Sequence, residues 1–186
     1  MSRTRWYWFQ IRWSNRFRGD TGKTCLVTVD GTDCPIYQKK PINSKYYSHK
    51  FKKAGLRYEV AVCIATGDIV WINGPFPCGT WPDINIFRRD LIYMLLPGEM
   101  VEADRGYRGE EDYIRTNKMY VSRSDRRAKR RARLRHETVN RRIKNFNILT
   151  TVFRSALHLH RHCFRAAAVI TQLSFECGER PWQVRY

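Results

Sequence analysis

A chain of 186 residues can bury one ordinary hydrophobic core and does not require a second complete domain. Its 35 Lys and Arg against 17 Asp and Glu leave a formal net charge of +18. That excess points to a polyanion, nucleic acid first, because each cation set on a phosphate releases condensed counterions. It sets a membrane partner aside, since no apolar run approaches the ~20 residues that span a bilayer and the cations are not confined to one amphipathic helix.

Met1–Lys23 mixes Arg with Trp6, Tyr7, Trp8, Phe9, Trp13 and Phe17 without a clean period and reads as an arm. Such an arm either packs on the domain or offers rings and cations to bases and phosphates. Gly22-Lys23-Thr24 does not complete a phosphate loop, because the glycine needed five positions before the Gly-Lys pair is Phe17. Three strands follow at Thr24–Asp30, Leu56–Ala65 and Asp68–Ile72, all rich in β-branched and aromatic residues. The turn Thr66-Gly67-Asp68 joins the last two as an antiparallel hairpin, and a polar stretch, Gln38–Lys53, separates the first two.

Gly74–Gly79 is a loop, and Pro82 opens a helix over Asp83–Leu95, where Ile84, Phe87, Leu91 and Leu95 recur at three- and four-residue steps until Pro97-Gly98. Met100–Asp104 predicts a fourth strand, Glu110–Thr116 a short helix and Met119–Ser122 a fifth strand. Asp125–Asn147 and Ile148–Leu173 then read as helices, the first without Gly or Pro. This order implies an α/β fold, a mixed five-stranded sheet flanked by helices. The six cysteines make no C-x-x-C pair and are expected as reduced, mostly buried thiols of an intracellular protein.

In so basic a chain, carboxylates at strand ends need a reason. Asp30 closes the run Thr24–Asp30 before Gly31, and Asp104 closes Val101–Asp104 before Gly106. Both are either ordinary turn-forming aspartates or carboxylates presented at a sheet edge to hold a hard divalent cation, which prefers oxygen ligands. Glu137 lies within the long helix, with Asn140, Arg141 and Lys144 on its face and Val139, Ile143 and Phe146 on a neighbouring apolar stripe. It is either a third ligand or one member of a solvated, ion-paired face.

The blocks V-D-G-T-D-C-P-I from Val29, A-D-R-G-Y-R-G from Ala103 and E-T-V-N-R-R-I-K from Glu137 together resemble the three motifs of DDE transposases of the IS5 and PIF/Harbinger type. The resemblance spans roughly Thr24–Asn147, including a step of 33 positions from Asp104 to Glu137. It implies a ribonuclease H-like fold and a catalytic triad of Asp30, Asp104 and Glu137 holding two Mg²⁺ or Mn²⁺ ions. Asp83, in W-P-D-I-N-I-F, stands where such enzymes often carry another acid, but Pro82 and Ile84-Asn85 depart from that motif. Asp83 is therefore either a helix cap or an accessory acid. The arm is too short for the helix-turn-helix that usually reads transposon ends.

Arg126, Arg127, Lys129, Arg130, Arg131, Arg133 and Arg135 lead into the helix bearing Glu137 and are expected to grip DNA phosphates, with Arg141 and Lys144 positioning the scissile one. A solvated helix end or a nuclear-import signal has the same composition. His158 and His162 share a helix face but lack a clear fourth ligand, so surface or packing roles are expected over a zinc site.

The expectation is a transposase catalytic core that cleaves and joins double-stranded DNA. It divides into an arm (1–23), a nuclease domain (24–175) and a tail (176–186), and acts as a homo-oligomer or beside a separate DNA-recognition protein. Its place would be a nucleus or a bacterial cytoplasm and nucleoid, not the exterior. The rivals are a transposase-derived DNA-binding scaffold without catalysis and a basic RNA-binding protein.

Overall fold

The computed structural model describes residues 11–19, 24–115 and 122–184. The aromatic residues Trp6 to Phe9, the Gly22-Lys23 pair and residues 119–121 of the expected strand Met119–Ser122 lie outside these. The sheet is built from β1 (Cys25–Pro35), β2 (Tyr47–Ser48), β3 (Lys53–Cys63), β4 (Ile69–Pro77), β5 (Met100–Glu102) and β6 (Ile114–Arg115). β3 pairs antiparallel with β1 and β4, while β5 runs parallel to both β1 and β6. Since β1 and β4 bond to the same stretch of β3, they flank it, and the order is β4-β3-β1-β5-β6 with two-residue β2 added at the start of β3. Among the described residues the sheet has six strands, four of them expected and β2 and β6 additional, and as a mixed sheet flanked by helices it is consistent with the ribonuclease H-like fold.

Period-two alternation divides the core between the two faces. Leu56, Tyr58, Val60 and Val62 of β3 turn toward α2 (Arg123–Ile143) and α4 (Leu157–Ser174), meeting Val139, Ile143, Phe164 and Ala168. Val27 and Val29 of β1 and Ala61 and Cys63 of β3 turn the other way, toward Phe87 of α1 (Asp83–Arg89), Leu91 and Tyr107.

Five local expectations change, each through a tertiary contact: first, the expected loop Gly74–Gly79 is strand as far as Pro77, because Phe76 and Pro77 pair with Arg57 and Leu56 of β3. β1 does not stop at Asp30. Thr32, Asp33 and Cys34 continue the ladder opposite Tyr58, Arg57 and Leu56, and the buried Asp33 carboxylate accepts from Arg57 Nε at 2.7 Å and Ser48 Oγ at 2.6 Å. The helix from Asp83 breaks at Asp90, whose carboxylate accepts from Asn73 Nδ2 at 2.7 Å, and resumes as a 3₁₀ turn at Leu91–Met94. The described part of the expected helix Glu110–Thr116, residues 110–115, is not helical: a turn leads into β6, where Ile114 is buried beside β5. The last expected helix is split into α3 (Asn147–Thr150) and α4, because Phe153 leaves the helix to bridge Ile36 and to hydrogen-bond Pro35 and Tyr37.

The described part of the arm packs on the domain. Its 3₁₀ helix Trp13–Phe17 buries Arg16, which donates from Nε to Glu99 at 2.7 Å. All six cysteines are free, and Cys25, Cys34, Cys63 and Cys78 are buried. Among the described residues no helix is long and apolar enough to cross a membrane.

Candidate active site

Asp30 sits mid-strand opposite Val60 and, like Thr28, faces α2. α2 begins at Ser122, whose Oγ caps the helix by accepting from Asp125 N at 3.0 Å. It lies across β1 so that Asn140 Nδ2 donates to Asp30 Oδ2 at 3.0 Å. Asp104 follows β5, the parallel neighbour of β1, and caps a 3₁₀ turn by accepting from Gly106 N at 2.7 Å. Asp30, Asp104 and Glu137 line one cleft, together with Thr28, Glu102, Lys129, Arg133 and His136.

Asp83 joins them from the opposite face of the sheet. The helix cap is Pro82, and the Asp83 carboxylate makes no cap hydrogen bond, so the capping role is corrected. Instead it lies 3.4 Å from Arg57 and fills the space where a side chain on Gly31 would begin, with Oδ1 only 2.1 Å from that point. Its other oxygen and Asp104 Oδ1 are each 3.0 Å from where a Cβ would stand on Gly106, so the two are at most twice that distance apart. Two glycines without side chains therefore let the Asp83 carboxylate approach Asp104 and the β1 backbone next to Asp30.

The electrostatics record this convergence. Burial pushes the Asp30 carboxyl up to about 6, Lys50 from the β2–β3 turn opposes the rise, and the Asp104 and Asp83 carboxylates add to it. Asp83 is raised by burial, against Arg57, with Asp33 and Asp104 contributing. Burial would also raise Asp33, but the hydrogen bonds from Arg57 and Ser48 hold it below the usual range.

Glu137 stands apart from this group. Its carboxylate is half exposed and pairs with Arg133 one turn earlier at 3.3 Å. Among the described residues, no three His, Cys, Asp or Glu side chains stand close enough to share a metal ion. The oxygen donors are nonetheless of the kind a hard divalent cation takes, and the carboxyls of Asp30 and Asp83, whose protons are held more tightly than usual, gain from a cation that replaces the proton.

The basic cluster divides by face. Arg126, Arg127 and Arg130 are exposed, Arg131 donates to Gln183 O at 3.2 Å, and Lys129 meets buried Glu102 at 3.2 Å. Arg135 is 1 % exposed and donates to the carbonyls of Cys63 and Ile64, so it clamps the β3–β4 hairpin and is removed from the phosphate-gripping set. Arg141 is exposed, whereas Lys144 turns inward to donate to Asp33 O at 2.8 Å.

Three residues of the cleft, Thr28, Glu102 and His136, were not singled out from sequence, and neither was the hydrogen bond from Asn140 to Asp30. Glu102 was accessible by period, standing two residues before Asp104. His136, whose Nδ1 lies 2.7 Å from Thr28 Oγ1, is held down to about 3 by burial and by Arg135, and no sequence pattern announced it. His158 and His162 are exposed, while His160 is buried against Tyr58, its Nδ1 2.7 Å from the phenol oxygen.

Residues 29–172 match the family model described as DDE superfamily endonuclease. No curated protein and no solved structure matches the chain.

Proposed function

Because the chain belongs to the DDE superfamily endonucleases, we propose that it is the catalytic core of an IS5 or PIF/Harbinger-type transposase, cleaving and joining double-stranded DNA with Mg²⁺ or Mn²⁺. The family implies a nuclease acting on DNA. The observation that carries the finer reading is that Asp30, Asp104 and Glu137, from the three sequence blocks that resemble the family's motifs, line the same cleft. Asp30, Asp104 and Glu137 are the residues that would hold the metal, with Asp83 as an accessory acid. A divalent pair supplies Lewis acidity to the attacking and leaving oxygens of a phosphodiester.

The chain's own groups have separate tasks. Asn140 orients the Asp30 carboxylate through its side-chain amide. Release of Glu137 from Arg133 frees both a carboxylate for the metal and a guanidinium for a phosphate, and the pair breaks at low cost because it is exposed on one helix. Arg126, Arg127, Arg130 and Arg141 face solvent on the same helix and suit phosphates flanking the scissile one.

A nicking assay on duplex DNA with Mg²⁺ or Mn²⁺ tests the reading, comparing the parent with Glu137→Gln. Metal-dependent nicks in the parent, lost in the variant, are expected. No metal-dependent cleavage by the parent would favour a transposase-derived scaffold that binds DNA without cutting it.

A further inference from the structure

A second cavity lies on the far side of the sheet from Asp104, beyond β1 and β3, at the outer edge of β4. Its volume is about 240 Å³ against about 50 Å³ for the carboxylate cleft. The arm supplies Trp13, β4 supplies Trp71 and Asn73, and α4 supplies Arg161 and Arg165; among the described residues no acidic one lines it.

The rings are fixed from behind. Trp13 Nε1 donates to Met94 O at 2.9 Å and Trp71 Nε1 to Glu59 Oε2 at 3.1 Å, so both indole N–H groups are satisfied by the protein. The rings meet edge to face at 5.9 Å, and the Arg16 guanidinium covers one face of Trp13 at 4.3 Å. Both indoles are only partly buried. Arg161 and Arg165 are one turn apart on the same face of α4. Both are exposed, and neither makes a hydrogen bond or ion pair among the described residues.

We infer that this cavity is a second nucleic-acid site, taking an unpaired nucleotide of a single strand, its base against the indoles of Trp13 and Trp71 and its phosphates on Arg161 and Arg165. The inference rests on the reading of the protein as one that acts on DNA. Fixed aromatic faces beside free cations are the arrangement by which proteins hold single strands without reading sequence. The cavity is walled by the arm, β4 and α4, which admits a base and excludes a duplex. Cations at the rim and no acid in the lining favour a nucleotide over a peptide strand added to the β4 edge.

The test uses the full chain in EDTA, so that no cutting occurs, with a short oligothymidylate carrying 5-iodouracil and a duplex of equal length. Photocrosslinks to Trp13 or Trp71 are expected from the single strand. Arg161→Ala combined with Arg165→Ala should weaken single-strand binding several-fold and leave duplex binding unchanged. The same change should lower the dependence of log affinity on log salt by about 1.4, at ~0.7 per single-strand phosphate. Both arginines are exposed, so folding is kept, as circular dichroism would verify. Unchanged single-strand binding in the double variant, an equal loss on duplex, or crosslinks confined to α2 would each overturn the inference. Duplex nicking by the parent is scored separately: nicking without crosslinks sinks only this site, and crosslinks without nicking sink only the catalytic reading. A parent that binds neither form of DNA overturns both.

Discussion

Asp30→Asn removes a charge from a place where two other carboxylates already press on it. In the folded protein the Asp30 carboxyl is held at about 6 against an ordinary 3.8, first by burial and then by Asp104 and Asp83. A carboxyl raised by folding contributes its full stability below the ordinary value. That stability is lost as pH climbs to about 6 and stays lost above it, because the unfolded chain releases its proton first. At ~1.4 kcal/mol per pH unit the gap amounts to ~3 kcal/mol, or a shift in Tm of roughly 6–12 °C for a chain of this size. The asparagine keeps an oxygen for Asn140 Nδ2 and carries no charge, so in EDTA it should melt higher than the parent at pH 8 and alike at pH 4. Melting followed by circular dichroism at the two pH values measures this. Added Mn²⁺ should then raise the melting point of the parent and not of Asp30→Asn. A variant that is no more stable than the parent at pH 8, or Mn²⁺ shifts of equal size in both, would refute the account of Asp30 as part of a strained, cation-seeking cluster.

Gly31→Ala should keep the fold, since the atoms nearest its methyl all belong to the Asp83 carboxylate, yet it drives that carboxylate out of the cluster. The Mn²⁺-induced rise in melting point should shrink, and an unaltered rise would remove Asp83 from the site. Arg135→Ala strips the charged donor from two buried carbonyls, with an expected cost of about 2–4 kcal/mol. Arg127→Ala, on the exposed side of the same helix, should leave urea denaturation unchanged and weaken duplex binding by filter assay. Equal stability of the two variants would contradict the division of the basic cluster by face. Glu99→Gln leaves Arg16 buried without its counter-charge, and a loss of about 3–5 kcal/mol is expected on denaturant unfolding. A neutral result there would mean that the arm's contact with the domain contributes nothing to stability.

What the sequence by itself determined was local and periodic. Alternation marked the β3–β4 hairpin and the inward face of β1. Helical spacing put Glu137 beside Asn140 on one side of α2 and Val139 and Ile143 on the other, and composition announced a polyanionic partner. These survive because neighbouring residues alone dictate them. The order of the motifs along the chain was also legible, but motif order carries no distances. Only the tertiary structure decided that Asp33, beyond the expected end of the first strand, is buried by Arg57 and Ser48, so that β1 runs on past Asp30. It alone turned Asp83 from a cap into a neighbour of Asp104, through the missing side chains of Gly31 and Gly106. It sorted the run of arginines into a buried clamp at Arg135 and an exposed face at Arg126, Arg127 and Arg130. Each of these depends on residues far apart in the chain, and a charge reveals its role only when the group that neutralises, repels or desolvates it is in place.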